Sequence, residues 1–150
     1  MHDGIGGLAF QLLRRDSVRR PAYVTAGCRL RSASRSNAIP VAASTAPRLA
    51  LQAVLGEAEV ELLSGDTAAA VARSQDALNM ATTLQGGVPY SCHAGLSRLM
   101  LGRALQARGD IPQARKAFET AITHLSNTVD ADHPELLRAR RLLASIAGTG

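Results

Sequence analysis

Ala58, Gly65, Ala70 and Ala77 are matched one for one by Gly102, Gly109, Ala114 and Ala121, each 44 residues further on. Four small residues recurring at one fixed interval mark an internal repeat, and a repeat limits the fold to units that pack in the same way. Both Gly65 and Gly109 are followed by aspartate, Asp66 and Asp110. Glycine ends a helix at no steric cost and aspartate starts the next one. Each unit therefore reads as two helices joined by a Gly-Asp turn.

The second unit is the clearer one. From Ala94 to Arg108 the apolar residues Leu96, Leu99, Met100, Leu101, Leu105 and Ala107 recur mostly at three- and four-residue intervals. Arg98, Arg103, Gln106 and Arg108 fill the polar face. After the turn, Pro112 suits a first helical turn. A second helix is then predicted from Ile111 to Leu125, with Ala114, Ala117, Phe118, Ala121, Ile122 and Leu125 as its stripe. A turn this short makes the two helices antiparallel. Gly102, Ala114 and Ala121 are small enough for close approach, and Phe118 is the plug beside them.

Leu101, Gly102, Gly109, Ala114, Phe118 and Ala121 resemble the tetratricopeptide repeat (TPR) signature, with its spacing intact. Arg98 stands where that family usually has a large aromatic or apolar residue, and Ser126 where it often has proline. In the first unit Glu57 stands at the place of Leu101 and Ser74 at the place of Phe118, so its packing face is softer. Leu143-Ala144 follows Leu101-Gly102 by 42 residues, and Asp132 is the expected cap of this last helix. Asp132-His133-Pro134-Glu135 resembles the element between repeats in the longer subclass typified by kinesin light chains, also common in bacterial regulatory proteins. The resemblance implies an all-α fold. Antiparallel helix pairs would stack as a short right-handed superhelix of about two and a half repeats. It spans residues 47–147, with units at about 47–84 and 91–127 and a terminal helix at 133–147.

Residues 1–46 read differently. Of the formal +5 charge, all is carried by residues 1–47, where seven arginines (Arg14, Arg15, Arg19, Arg20, Arg29, Arg31, Arg35) face Asp3 and Asp16. Residues 1–16 hold a weak amphipathic pattern of Ile5, Leu8, Phe10, Leu12 and Leu13, and 17–46 are rich in Ser, Arg, Ala and Pro without a period. That composition predicts a basic, mostly disordered leader, with order beginning near Thr45-Ala46-Pro47. It is also the composition of an organelle transit peptide, so targeting by residues 1–35 stays open. A basic arm binding nucleic acid is the weaker reading, because no aromatics are interleaved. No apolar run approaches the roughly 18 residues of a transmembrane helix.

Little in the sequence points to chemistry. Cys28 and Cys92 are single and far apart, and the default reading is two reduced, structural thiols. Cys92-His93 is adjacent, which is not a metal spacing, and His124 and His133 lie on different predicted elements. No nucleophile, base and orienter can be told apart. The expectation is a non-enzyme with no cofactor and no metal.

What remains is surface. In the resembled family the first helix of each pair lines a concave groove that takes extended peptides or a partner's helix. The polar residues phased towards it are Gln52 and Glu59, then Arg103 and Gln106, then Arg138, Arg141 and Ser145. The arginines are suited to the carboxylates of an acidic peptide. Asparagines at inner positions, which the carboxylate clamp of chaperone-binding members uses, are absent.

The expected function is a protein–protein interaction scaffold. The alternative is the sensing or oligomerisation region of a larger bacterial regulator, such as a serine/threonine kinase or a transcription regulator. The arginine-rich, lysine-poor composition fits a bacterial cytoplasmic protein by resemblance only. Fewer than three repeats rarely stand alone, so either a homodimer through an exposed end or missing upstream repeats is a further expectation.

Overall fold

The computed structural model describes residues 41–148, with side chains from Ala46 onward. Among these residues the chain is all-helical. Its elements are α1 (Val41–Ser64), α2 (Thr67–Gln85), α3 (Cys92–Arg108), α4 (Ile111–Ser126) and α5 (Pro134–Ala147). Each helix packs on the next, and α1 also touches α3 directly. The leader's residues 1–40 lie outside the described residues.

The two Gly-Asp turns are superposable in their hydrogen bonds. Gly65 and Gly109 have φ of 86° and 88°, a left-handed conformation that only glycine adopts without strain. Gly65 N–H donates to Leu62 O at 3.2 Å and Asp66 N–H to Glu61 O at 3.0 Å. The counterparts are Gly109 N–H to Gln106 O at 3.0 Å and Asp110 N–H to Leu105 O at 2.9 Å. The aspartates then cap α2 and α4. Asp66 accepts from Ala69 N–H at 2.9 Å and Asp110 from Gln113 N–H at 3.3 Å. Repeated small residues thus become repeated local structure.

Two helix boundaries and one cysteine differ from the sequence expectation. Helix α1 starts at Val41 and carries Pro47 inside it, not in an opening turn. Ala42, Ala43 and Ala46 are strong helix formers, and they extend the helix past a proline that costs it one backbone bond. Residues 41–46 therefore belong to the helical body and not to the leader. At α5 the cap is His133, not Asp132: its Nδ1 accepts from Glu135 N–H at 3.3 Å. Cys92 is buried and disulfide-bonded, which corrects the expectation of reduced thiols. With two cysteines and no spacing pattern the sequence does not say whether a bridge forms, and Cys28 lies outside the described residues.

Packing follows the alternation of small and large residues. One cluster joins α3, α4 and α5 through Leu99, Leu105, Phe118, Ala121, Ala139 and Ile146. A second joins α1, α2 and α3 through Leu51, Leu55, Ala58, Ala77, Ala81 and Met100. Phe118 is 0% exposed. A Cβ placed on Gly102 would lie 2.5 Å from Phe118 Cε1 and 2.6 Å from its Cδ1. The ring therefore occupies the space that a side chain at 102 would need. In the first unit the same two places hold Ala58 and Ser74, both 0% exposed. A methyl group is admitted where the facing residue is small. Ser74 satisfies its hydroxyl on Ala70 O at 2.6 Å. Gly102→Ala should lower stability by about 1–3 kcal/mol through overpacking, measured by urea unfolding. The loss should shrink when Phe118→Leu is combined with it, because leucine can turn away from the new methyl group.

Candidate functional site: the face shared by α1, α3 and α5

Glu59 of α1 and Arg103 of α3 are 44 residues apart and meet across the helix pair. Arg103 Nη2 donates to Glu59 Oε1 at 2.8 Å, and Nη1 donates to Oε2. The guanidinium is thus bound by both carboxylate oxygens, the geometry its fork favours. The pair is mostly enclosed, with side-chain exposures of 15% for Arg103 and 11% for Glu59. Its position follows from the repeat: α1 and α3 lie side by side, so equivalent residues of the two units come together.

Beside this pair lies a shallow hollow. Its walls are Leu55, Leu96, Leu99 and Met100, with Arg103, Glu135 and Arg138 at its edge. Glu135 is 4% exposed and sits 3.8 Å from Arg138 Nη1, one turn along α5. Charges of both signs therefore alternate around an apolar floor. The four charged groups, Glu59, Arg103, Glu135 and Arg138, sum to zero.

Of the residues predicted for the groove, Glu59, Arg103 and Arg138 are brought together here. Gln52, Arg141 and Ser145 are exposed and Gln106 is half-buried, and none of these four lines the hollow. The Ser145 hydroxyl donates to Leu142 O at 2.7 Å. Sequence reading placed Glu135 in the first turn of the terminal helix but did not assign it to this face. The 44-residue spacing of Glu59 and Arg103 was the available signal for their pairing.

A second polar cluster lies where α3 meets α4. Ser91 caps α3, and its own N–H donates to His124 Nδ1 at 3.2 Å. Tyr90 meets the His124 ring edge-on, with centroids 6.1 Å apart. Arg98, at the position of the expected large apolar residue, has a buried Nε without a hydrogen-bond partner. Burial first, and then the Arg98 charge, hold the His124 pKa below its usual value of 6.5. Burial, and then Arg48, do the same for His93. Both rings are thus neutral in the fold at pH values where an unfolded chain already binds protons. Stability rises with pH when the unfolded state binds more protons. It should be complete above about 6.5 and fall as pH drops from there through the lowered folded values. Urea midpoints across that range should show this decline, which His124→Gln should reduce.

Among the described residues no group of three or more His, Cys, Asp and Glu is placed to hold a metal ion. None of the described helices is long and apolar enough to cross a membrane. No family model, curated protein or solved structure matches the chain.

Proposed function

We propose that the chain is a non-catalytic scaffold of TPR-like helix pairs. It would take a segment of another protein on the face that α1, α3 and α5 share. The observation that supports this most is the hollow itself. An apolar floor of Leu55, Leu96, Leu99 and Met100 is bordered by Arg103, Glu135 and Arg138; with a volume of about 20 Å³ it would seat only a small apolar group of a partner, with the charged residues as a polar rim around it. The floor is contributed by the first helix of each unit, as the resemblance implies. Arg103 is committed to Glu59, so an acidic partner would be read by Arg138 and Arg141.

The test is a selection from a random peptide library on the immobilised full chain, followed by calorimetric titration of the selected peptides. The reading predicts peptides with an apolar anchor. Their affinity should fall at least tenfold on the surface variant Arg138→Glu/Arg141→Glu. Unchanged affinity would place binding elsewhere, and a selection that yields no peptide would count against the scaffold reading.

A further inference from the structure

The outward face of α1 is apolar, and this has no role in the groove. Leu49 is 59% exposed, Val60 66% and Leu63 76%, whereas Leu51, Leu55 and Ala58 on the opposite side are 2%, 6% and 0% exposed. Ala53 is also exposed, and Gly56 lies on the same stripe. A Cβ added to Gly56 would meet nothing within 4 Å. The other helices behave as solvated helices do. Helix α2 exposes Arg73, Gln75, Asp76 and Asn79, and α4 exposes Gln113, Arg115, Lys116 and Glu119. Among the described helices α5 turns out one such residue, Leu137 at 41%, whereas α1 turns out three in a row, and a row of large apolar side chains on a helix face normally marks a contact.

We propose that this stripe pairs with the same stripe of a second copy, α1 against α1 and antiparallel, around a twofold axis at Gly56. The spacing of the stripe argues for a self-partner. Leu49 and Leu63 lie seven residues either side of Gly56, and Ala53 and Val60 lie three and four residues from it. An antiparallel pair centred there sets Leu49 against the second copy's Leu63, and Ala53 against its Val60. Small beside large is the complement such packing requires. Gly56 at the axis lets the two helices approach closely. A twofold contact must be self-complementary in this way.

Charge agrees with it. Leu49, Ala53, Gly56, Val60 and Leu63 carry none, and Glu57 at the stripe's edge lies 3.5 Å from Arg73 Nε, which it shares with Glu61 at 3.3 Å. The stripe itself therefore brings no charge against the second copy. The stripe is short, though. It supplies far fewer than the roughly 20–30 residues a side of a standard interface. The dimer is therefore a weak, reversible one. It uses the side of α1 away from the hollow, so it stands or falls separately from the scaffold reading.

Sedimentation velocity on the full chain, from low to high micromolar concentration, tests this. The expected result is a monomer–dimer equilibrium that Val60→Arg or Leu63→Glu weakens more than tenfold. Both sites are exposed, so helicity by circular dichroism should be unchanged in each variant. Gly56→Cys should give a reducible covalent dimer under mild oxidation, and Gln75→Cys should not. A monomer at every concentration would overturn the proposal and leave the stripe to residues 1–40 or to a different protein. A dimer that survives both charged substitutions, or fails to cross-link at residue 56, would also overturn it.

Discussion

Phe118→Ala is expected to lower stability by about 3–5 kcal/mol, the usual cost of removing a fully buried aromatic side chain. The ring is 0% exposed and lies against the bare backbone of Gly102. No side chain at 102 can move in to fill the space. Leu99, Leu105 and Ile146 belong to the same cluster, so the cavity would loosen α3, α4 and α5 together. Urea unfolding followed by circular dichroism gives the number. A loss under about 1 kcal/mol, far below the usual range, would mean that the second unit is not packed around this residue, and the repeat reading would lose its main support.

Arg103→Ala is expected to cost about 3 kcal/mol, because it leaves the Glu59 carboxylate enclosed without its cation. The attraction between the charges matters less than the stranding of one of them. Replacing both residues, as Glu59→Met/Arg103→Met, should therefore cost much less than Arg103→Ala alone, since two apolar side chains of similar length can fill the same space. The same urea titration distinguishes these cases. If Arg103→Ala is nearly neutral, the pair is solvated in the free protein and does not fix α1 to α3.

Much of the local structure was legible in the sequence. Gly65-Asp66 and Gly109-Asp110 announce their turns because glycine and aspartate are chosen there for backbone reasons that do not depend on the rest of the fold. The boundaries of α3 and α4 follow from those turns and from three- and four-residue apolar spacing. The start of α1 was not legible. Proline was read as the opening of a helix, whereas alanines before it continue the helix through Val41. The cap at His133 was missed because aspartate is the commoner capping residue.

The candidate site was legible only in part. Phase alone places Glu59, Arg103 and Arg138 on inward-looking faces, yet it does not say which of them pair. Pairing depends on how α1, α3 and α5 sit beside one another, and that is set by packing between units. Glu135 was missed for the same reason. At the start of a helix a glutamate reads as a residue of the solvated first turn, but packing buries it to 4% exposure. The outward face of α1 was obscured in another way. Leu49, Val60 and Leu63 alternate with Leu51, Leu55 and Leu62, and large apolar residues on two opposite sides of one helix give no clear periodic signal of which side is covered.

The most direct test of the central claim, that two like helix pairs stack with their first helices side by side, is the coupling energy between Glu59 and Arg103. A double-mutant cycle of Glu59→Ala and Arg103→Ala, read by urea unfolding, isolates it. Residues in contact within one network couple by about 0.5–3 kcal/mol, whereas distant ones add within about 0.5 kcal/mol. The account predicts a coupling above about 1.5 kcal/mol, in the upper part of that range. Additive losses would mean that residues 59 and 103 do not meet, and that α1 and α3 are not stacked in the register described.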